Sequence, residues 1–274
     1  MFPGGAFAGG AIEPADADNL KLDFAVLADA HIETNTLFRM QFLRGALRDL
    51  GKVKSDALVL LGDNTMNGQF LEYMMLYGIV NRWNTAANTL AAIGNHDINP
   101  DVRDLGAAIA RHNLFYNGYT GAKNDKVYYS KEINGYSFIV MGSEYTVSGE
   151  DWTRSYISPE QIAWLDAALA KANESGKPAF VFHHQPLSYT DPRDDVFAVL
   201  KKYKNVVYFS GHMHTPASLE TLEGVTLVNT PLFSDERGGS KGFYVEVYEG
   251  EVLIRVREFF NGKWAPGEPF KIVL

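Results

Sequence analysis

Six of the chain's seven histidines stand in four short segments, each following an apolar run: "ADAHI", "IGNHD", "FHHQP" and "GHMH". A fifth segment, "LGDN", ends another apolar run in Asp63. Asp, Asn and His are hard-to-intermediate ligands that suit Mn, Fe or Zn. On an extended strand end, Asp29 and His31 are expected to point to the same side, because strand side chains repeat every second residue. His212 and His214 share that spacing. The pair His183-His184 offers two candidates for one position. A carboxylate such as Asp63 can bridge two cations. Seven such donors suffice for two metals that each keep a place for water or substrate. Two metals about 3.5–4 Å apart form a clamp for in-line displacement at phosphorus. The chain has no cysteine. Thiolate ligands, disulfides and a cysteine nucleophile are therefore excluded.

These segments need strands to carry them. "KLDFAVLADAHI", "SDALVLLGDN", "TLAAIGNHD", "PAFVFHH" and "NVVYFSGHMH" each read as a buried strand running into polar residues. Helices are expected at "FRMQFLRGALRDLG", "FLEYMMLYGIVNRW", "PDVRDLGAAIARHN", "SPEQIAWLDAALAKANESG" and "DDVFAVLKKY". In the fourth, Ser158 reads as N-cap, Pro159 as N1 and Gln161 as the far end of a capping box, with Gly176 closing the helix. Asn134-Gly135 predicts a hairpin. The C-terminal part reads as strand and turn. Strands alternate with helices early and hairpins dominate late. The pattern predicts one α/β domain over 21–274, with two packed mixed sheets and helices outside. Ligands in such folds gather beyond the carboxyl ends of the strands.

The 274 residues are 46% hydrophobic and 21% charged, ordinary for a globular chain. No apolar run approaches the roughly 18 residues that span a bilayer. The net charge of −8, with no basic block, disfavours duplex nucleic acid as a partner. Residues 1–20 are rich in Gly, Ala and Asp and are expected to be a mobile lead-in. They lack the cationic region of a signal peptide. A soluble protein is expected, either cytoplasmic or exported with a signal not present in this chain.

Asp-x-His, Gly-Asp, Gly-Asn-His-Asp, His-x-Pro and Gly-His-x-His, in that order over residues 22–215, resemble the signature of the calcineurin-like metallophosphoesterases. The resemblance implies a four-layer αββα sandwich of two mixed sheets, as in metallo-dependent phosphatases, with a dinuclear centre between strand ends. It implies one metal on Asp29, His31, Asp63 and His214 and a second on Asp63, Asn95, His184 and His212. His184, two residues before Pro186, matches the family ligand; strand alternation would then point His183 the other way, into packing or a contact that supports the ligands. The implied reaction is hydrolysis of a small-molecule phosphate ester by a hydroxide between the metals. His96 would stabilise charge or protonate the leaving oxygen, and Asp97 would orient His96.

Two departures bear on the substrate. Met66 stands where purple acid phosphatases carry tyrosine, so no Fe(III)-tyrosinate centre is expected. "GDNTMNG" replaces Gly-Asp-x-Val-Asp-Arg-Gly of the protein phosphatases, and the phosphate-binding arginine is missing. The resemblance therefore leans to the cyclic-nucleotide and glycerophosphodiester branch, and to diesters over monoesters. Candidate substrate contacts are His112, Asn113 and Tyr116, whose bland reading is a helix end and packed aromatics. Arg237, in "SDERGGS", is another, with a solvated loop charge as its bland reading. The competing function is a catalytically weak phosphate-ligand binding module on the same fold. A missing ligand or a replaced His96 would mark such a module, and neither is seen. Hydrolysis of another ester class is a third reading.

Overall fold

Buried on both faces, the strand Leu22–Leu27 (β1) has all six residues inside, as a strand sandwiched between layers must. It opens a computed structural model that describes residues 12–98, 105–144, 151–234 and 239–274. Helix α1 (Leu37–Leu50), strand β2 (Ala57–Leu61), helix α2 (Phe70–Trp83), strand β3 (Asn88–Ala92), the short helix α3 (Asn95–Ile98) and helix α4 (Leu105–Thr120) follow. Next come the hairpin β4 (Tyr129–Ile133) and β5 (Tyr136–Val140), strand β6 (Ser155–Tyr156), helix α5 (Pro159–Asn173), strands β7 (Ala179–Phe182) and β8 (Thr190–Asp191), helix α6 (Arg193–Leu200) and strand β9 (Val206–Ser210). The remainder is strand: β10 (Ser218–Leu222), β11 (Val225–Asn229), β12 (Lys241–Val247), β13 (Glu251–Glu258), β14 (Lys263–Trp264) and β15 (Phe270–Val273).

The first sheet runs β14-β13-β12-β1-β2-β3, with β15 also on β13; the second runs β10-β11-β9-β7-β5-β4. Both are mixed. β1, β2 and β3 are mutually parallel while β12 joins β1 antiparallel. In the second sheet β5, β7, β9 and β11 are parallel and the hairpin partners antiparallel. Between the sheets Phe24 meets Phe138, Phe180, Phe182 and Phe209 edge-on, with ring centroids 5.0–6.1 Å apart. One apolar layer fills the space between sheets, a second lies under α1, α2 and α4, and a third under α5 and α6. This is the αββα sandwich.

The expected hairpin is present between β4 and β5, while other local details depart from the sequence expectation. Asn134 and Gly135 take φ of 51° and 75°, the left-handed pair that a two-residue hairpin requires. Ser158 accepts the Gln161 N–H at 3.1 Å, but the Gln161 side chain does not return to the cap. It bonds instead to both backbone groups of Gly142, and so ties α5 to the end of β5. The capping box is at α2, between Gln69 and Glu72. α4 runs on to Thr120, past the expected end at Asn113. Of the expected lead-in, residues 12–20 are described: Ile12 is buried, and the Asp16 N–H donates to the Tyr248 hydroxyl at 3.1 Å. Among the described residues no helix is long and apolar enough to cross a membrane.

Candidate metal centre

The strands stop before the ligand-type residues begin. β1 ends at Leu27 and β9 at Ser210. Asp29, His31, Asp63, His212 and His214 all have left-handed backbone, with φ of 61°, 46°, 47°, 70° and 51°. Extended alternation therefore does not align Asp29 with His31, nor His212 with His214; left-handed residues spaced two apart do. Each such non-glycine conformation costs about 1–2 kcal/mol, so the surroundings must hold it. They do so by cross-loop hydrogen bonds. Asp29 N–H donates to Gly62 O at 3.1 Å, and His31 N–H to Asp63 O at 2.8 Å. Gly211 N–H donates to His184 O at 2.9 Å.

These turns bring the sequence candidates together. Asp29, His31 and His214 form one cluster, and Asp63, His184 and His212 another, each with its ligand atoms within 4.8 Å of one another. His214 Nε2 lies 3.2 Å from Asp29 Oδ1 and 3.2 Å from His31 Nε2. Asp63 Oδ2 lies 3.1 Å from His184 Nε2 and 3.9 Å from His31 Nε2. Asn95 Oδ1 faces His212 Nδ1 at 3.0 Å. Asp29, Asp63 and His184 are buried, while His214 reaches the surface. His184 Nδ1 lies 2.9 Å from the Leu61 carbonyl, which can only accept, so that nitrogen carries the hydrogen. Its Nε2 is buried and faces Asp63 Oδ2 at 3.1 Å.

The electrostatics point the same way. Burial opposes a charge on His184, yet the Asp63 carboxylate outweighs it and raises the imidazole to about 9. Burial likewise opposes the Asp63 charge, but His184, His31 and His96 more than offset it and hold the carboxyl low. The pocket draws in positive charge. Carboxylate and imidazole ligand atoms that converge within 4.8 Å in a buried pocket favouring positive charge fit a cation.

Close approach is built in by glycine. A Cβ on Gly62, whose φ is +83°, would stand 2.5 Å from the His184 Cβ. A Cβ on Gly94 would stand 2.1 Å from Asp63 Oδ1. Gly94→Ala must therefore displace Asp63 or the 94–96 turn. We expect it to weaken Mn²⁺ affinity about 10–100-fold, the range for disturbed ligand support. Calorimetric titration beside the wild type checks this; unchanged affinity would show that the turn can yield.

His96 projects into the same cluster, with its ring 4.7 Å from that of His31. Asp97 does not orient it. The Asp97 carboxylate accepts five bonds, from the N–H groups of Asn64, Thr65 and Gly94 and the side chains of Asn64 and Thr65, at 2.8–3.2 Å. The His96 ring is held instead by its Nδ1, 2.9 Å from the Met66 carbonyl. Asp97 thus fixes the 64–65 turn that presents Met66, one step removed from the role expected of it. His112, Asn113 and Tyr116 also depart from expectation. All three are buried, with His112 Nδ1 3.4 Å from the Tyr73 hydroxyl and Tyr116 bonded to Thr89 O at 3.2 Å. They pack α4 inward. Arg237 lies outside the described residues.

Sequence reasoning missed the rim. Trp152 sets its ring 5.3 Å from His96 at 74°, and Tyr189 sets its ring 4.9 Å from His212 at 61°. Neither carries a motif or a spacing, so only the fold reveals them. His183 points away from the cluster, with Nε2 2.8 Å from Ser155 Oγ and Nδ1 2.7 Å from the Tyr208 hydroxyl. Strand alternation was the available signal for that divergence from His184.

The family model for calcineurin-like phosphoesterases matches residues 22–216, most of the chain. The chain belongs to the calcineurin-like phosphoesterases. No curated protein matches its sequence. Among solved structures, this phosphoesterase is similar to a dimetal phosphatase from Danio rerio, at 16% identity and a TM-score of 0.68, over 93% of this chain and 99% of that one. It is similar to a purple acid phosphatase from yellow lupin (Lupinus luteus) seeds, at 15% identity and a TM-score of 0.67, over 92% of this chain and 53% of that one. A third is GAP50, the anchor in the inner membrane complex of Plasmodium, at 13% identity and a TM-score of 0.61, over 93% and 89%. At these identities the likeness is one of fold. The family implies a dinuclear metal centre and a hydrolase of small phosphate esters.

Proposed function

We propose that this phosphoesterase holds two metal ions, one on Asp29, His31, Asp63 and His214 and the other on Asp63, Asn95, His184 and His212. Residues 21–274 act as one catalytic domain in this reading, and Mn, Fe or Zn suit the nitrogen and oxygen donors. The observation that carries it is the convergence of these side chains on the buried Asp63 carboxylate, which reaches toward both His31 and His184. When bound, such ions supply positive charge to phosphoryl oxygens and lower the pKa of a water.

The chain's own groups do the rest. His96 Nδ1–H is committed to the Met66 carbonyl, so a second proton on the ring sits on Nε2. From there it passes to the leaving oxygen. Asp97 keeps the Met66 carbonyl in place through Asn64 and Thr65. The buried walls of Asp29, Asp63 and His184 limit access to the side of His96, His212 and His214.

A phosphodiester is the proposed substrate. A monoester carries an extra negative charge, which the protein phosphatases meet with arginine. Asn67 stands there instead, its side chain tied to Glu72 at 2.9 Å. At the rim, the Arg154 guanidinium is engaged by Asp191 at 2.5 and 3.1 Å. Among the described residues, these two positions offer a dianion no uncommitted cation, which supports the singly charged ester.

The test is turnover of bis(4-nitrophenyl) phosphate against 4-nitrophenyl phosphate, on protein stripped with chelator and reloaded with Mn²⁺. Metal-dependent hydrolysis favouring the diester is expected. A monoester preference would overturn the substrate reading. No turnover of either, with two ions bound, would overturn the hydrolase reading in favour of a phosphate-binding module.

A further inference from the structure

The rim residues say something about the group attached to the phosphate. This step rests on the proposed hydrolase site, because it takes His96 as the group facing the leaving oxygen. Whatever is bonded to that oxygen must then lie beside Trp152, whose ring stands against His96. Trp152 is 40% exposed, so much of the indole is open to a neighbour. Tyr189 stands against His212, a proposed ligand of the second metal, and is itself only partly covered. Met213, between the two histidine ligands, is 38% exposed. The mouth is thus edged by apolar and aromatic surface.

This edge is held in place. β6 pairs with β8, aligning Ser155 with Thr190 and Tyr156 with Asp191. Arg154 clamps Asp191 through two bonds and reaches Ser188 O at 3.2 Å. Arg154 also lies over the Tyr189 ring, 5.8 Å from its centroid. Ser155 is anchored to His183, next to the His184 ligand. Trp152 and Tyr189 therefore sit on one short strip bolted to the second-metal side. Rigid aromatic walls bind flat π faces at low entropic cost. A small polyol beside them would find only the indole N–H and the Tyr189 hydroxyl on these two rings, no stacking gain, and an Arg154 already paired with Asp191.

We propose that Trp152 and Tyr189 are specificity residues, and that the substrate carries a flat aromatic or heteroaromatic group on its phosphate. The shared chemistry fits an aryl ester or a nucleotide.

Equilibrium binding to Mn²⁺-loaded protein tests this without requiring turnover. Phenyl phosphate, uridine 5′-monophosphate and glycerol 1-phosphate, monoesters of equal charge that differ only in the organic group and correspond to products of diester cleavage, would be titrated into wild type, Trp152→Ala, Trp152→Phe and Tyr189→Ala, with metal content measured on each. The wild type is expected to bind one or both aromatic ligands about tenfold or more tighter than glycerol 1-phosphate. Trp152→Ala should erase that ratio while leaving glycerol 1-phosphate nearly unchanged, and Trp152→Phe should restore most of it. Selective binding of uridine 5′-monophosphate alone would assign a nucleobase; binding of both would assign any aryl face. Equal affinity for all three in the wild type, or a uniform loss in Trp152→Ala and Tyr189→Ala, would overturn the proposal. Should the ester hydrolysis test fail, these ratios still stand or fall by themselves.

Discussion

Asp63→Ala is expected to yield a folded protein that retains neither metal ion and has lost turnover by more than about 10³-fold, since positioning and charge stabilisation go together. Asp63 is the one carboxylate shared by both proposed sites. Its Oδ2 faces His184 and His31, and its Oδ1 accepts the His96 N–H at 2.8 Å. Alanine removes the negative charge and also releases the turn that carries Asn95 and His96. Asp63→Asn separates these effects. It keeps an oxygen for the His96 N–H but removes the charge. Elemental analysis and turnover at saturating Mn²⁺ on both variants are the measurements. We expect two ions per chain in the wild type, near none in Asp63→Ala, and an intermediate count in Asp63→Asn. Two ions and normal turnover in Asp63→Ala would refute the shared-ligand assignment.

The second large effect is kinetic. His96→Ala should keep both ions and slow hydrolysis about 10²–10⁴-fold, as for a lost general acid. The structure sharpens this, because the His96 ring is held by the Met66 carbonyl, while its bond to Asp63 comes from the backbone N–H, which alanine keeps. Its removal leaves the clusters of Asp29, His31 and His214, and of Asp63, His184 and His212, intact. A proton donor matters only when the leaving oxygen needs a proton. The loss should therefore be largest for alkyl leaving groups and shrink toward 4-nitrophenolate. A slope of log rate against leaving-group pKa that steepens in His96→Ala is the expected signature. An equal loss for every leaving group would instead mark His96 as a stabiliser of phosphoryl charge.

Much of this centre could be read before folding, because ligand chemistry is local. Asp29, His31, Asp63, Asn95, His184, His212 and His214 each follow an apolar run, and apolar runs in this chain become parallel strands with a common edge. What could not be read was the route by which they converge. Period-two reasoning describes a strand, but five of these residues sit past the strand with left-handed backbone. Composition does not show that. Asp97 misled for a related reason: adjacency to His96 in sequence suggested a pair, while the short helix α3 turns its carboxylate back onto Asn64 and Thr65. His112 and Tyr116 looked available because polar and aromatic groups near a motif resemble a loop. They belong to a helix that continues, and its packing takes them inside. Trp152 and Tyr189 have no local signature at all; only tertiary pairing of β6 with β8 sets them at the rim.

The division of ligands between layers has one more consequence. Asp29, His31, Asp63 and Asn95 extend from the first sheet, whereas His184, His212 and His214 extend from the second. Each proposed ion is thus coordinated from both sheets. In a chain without cysteine, the ions would act as removable cross-links, joining residues 29–95 to residues 184–214 across long loops. Their binding free energy adds to the stability of the docked sheets by mass action. Chelation would therefore release the fastening between the two halves of the sandwich as well as the reaction centre.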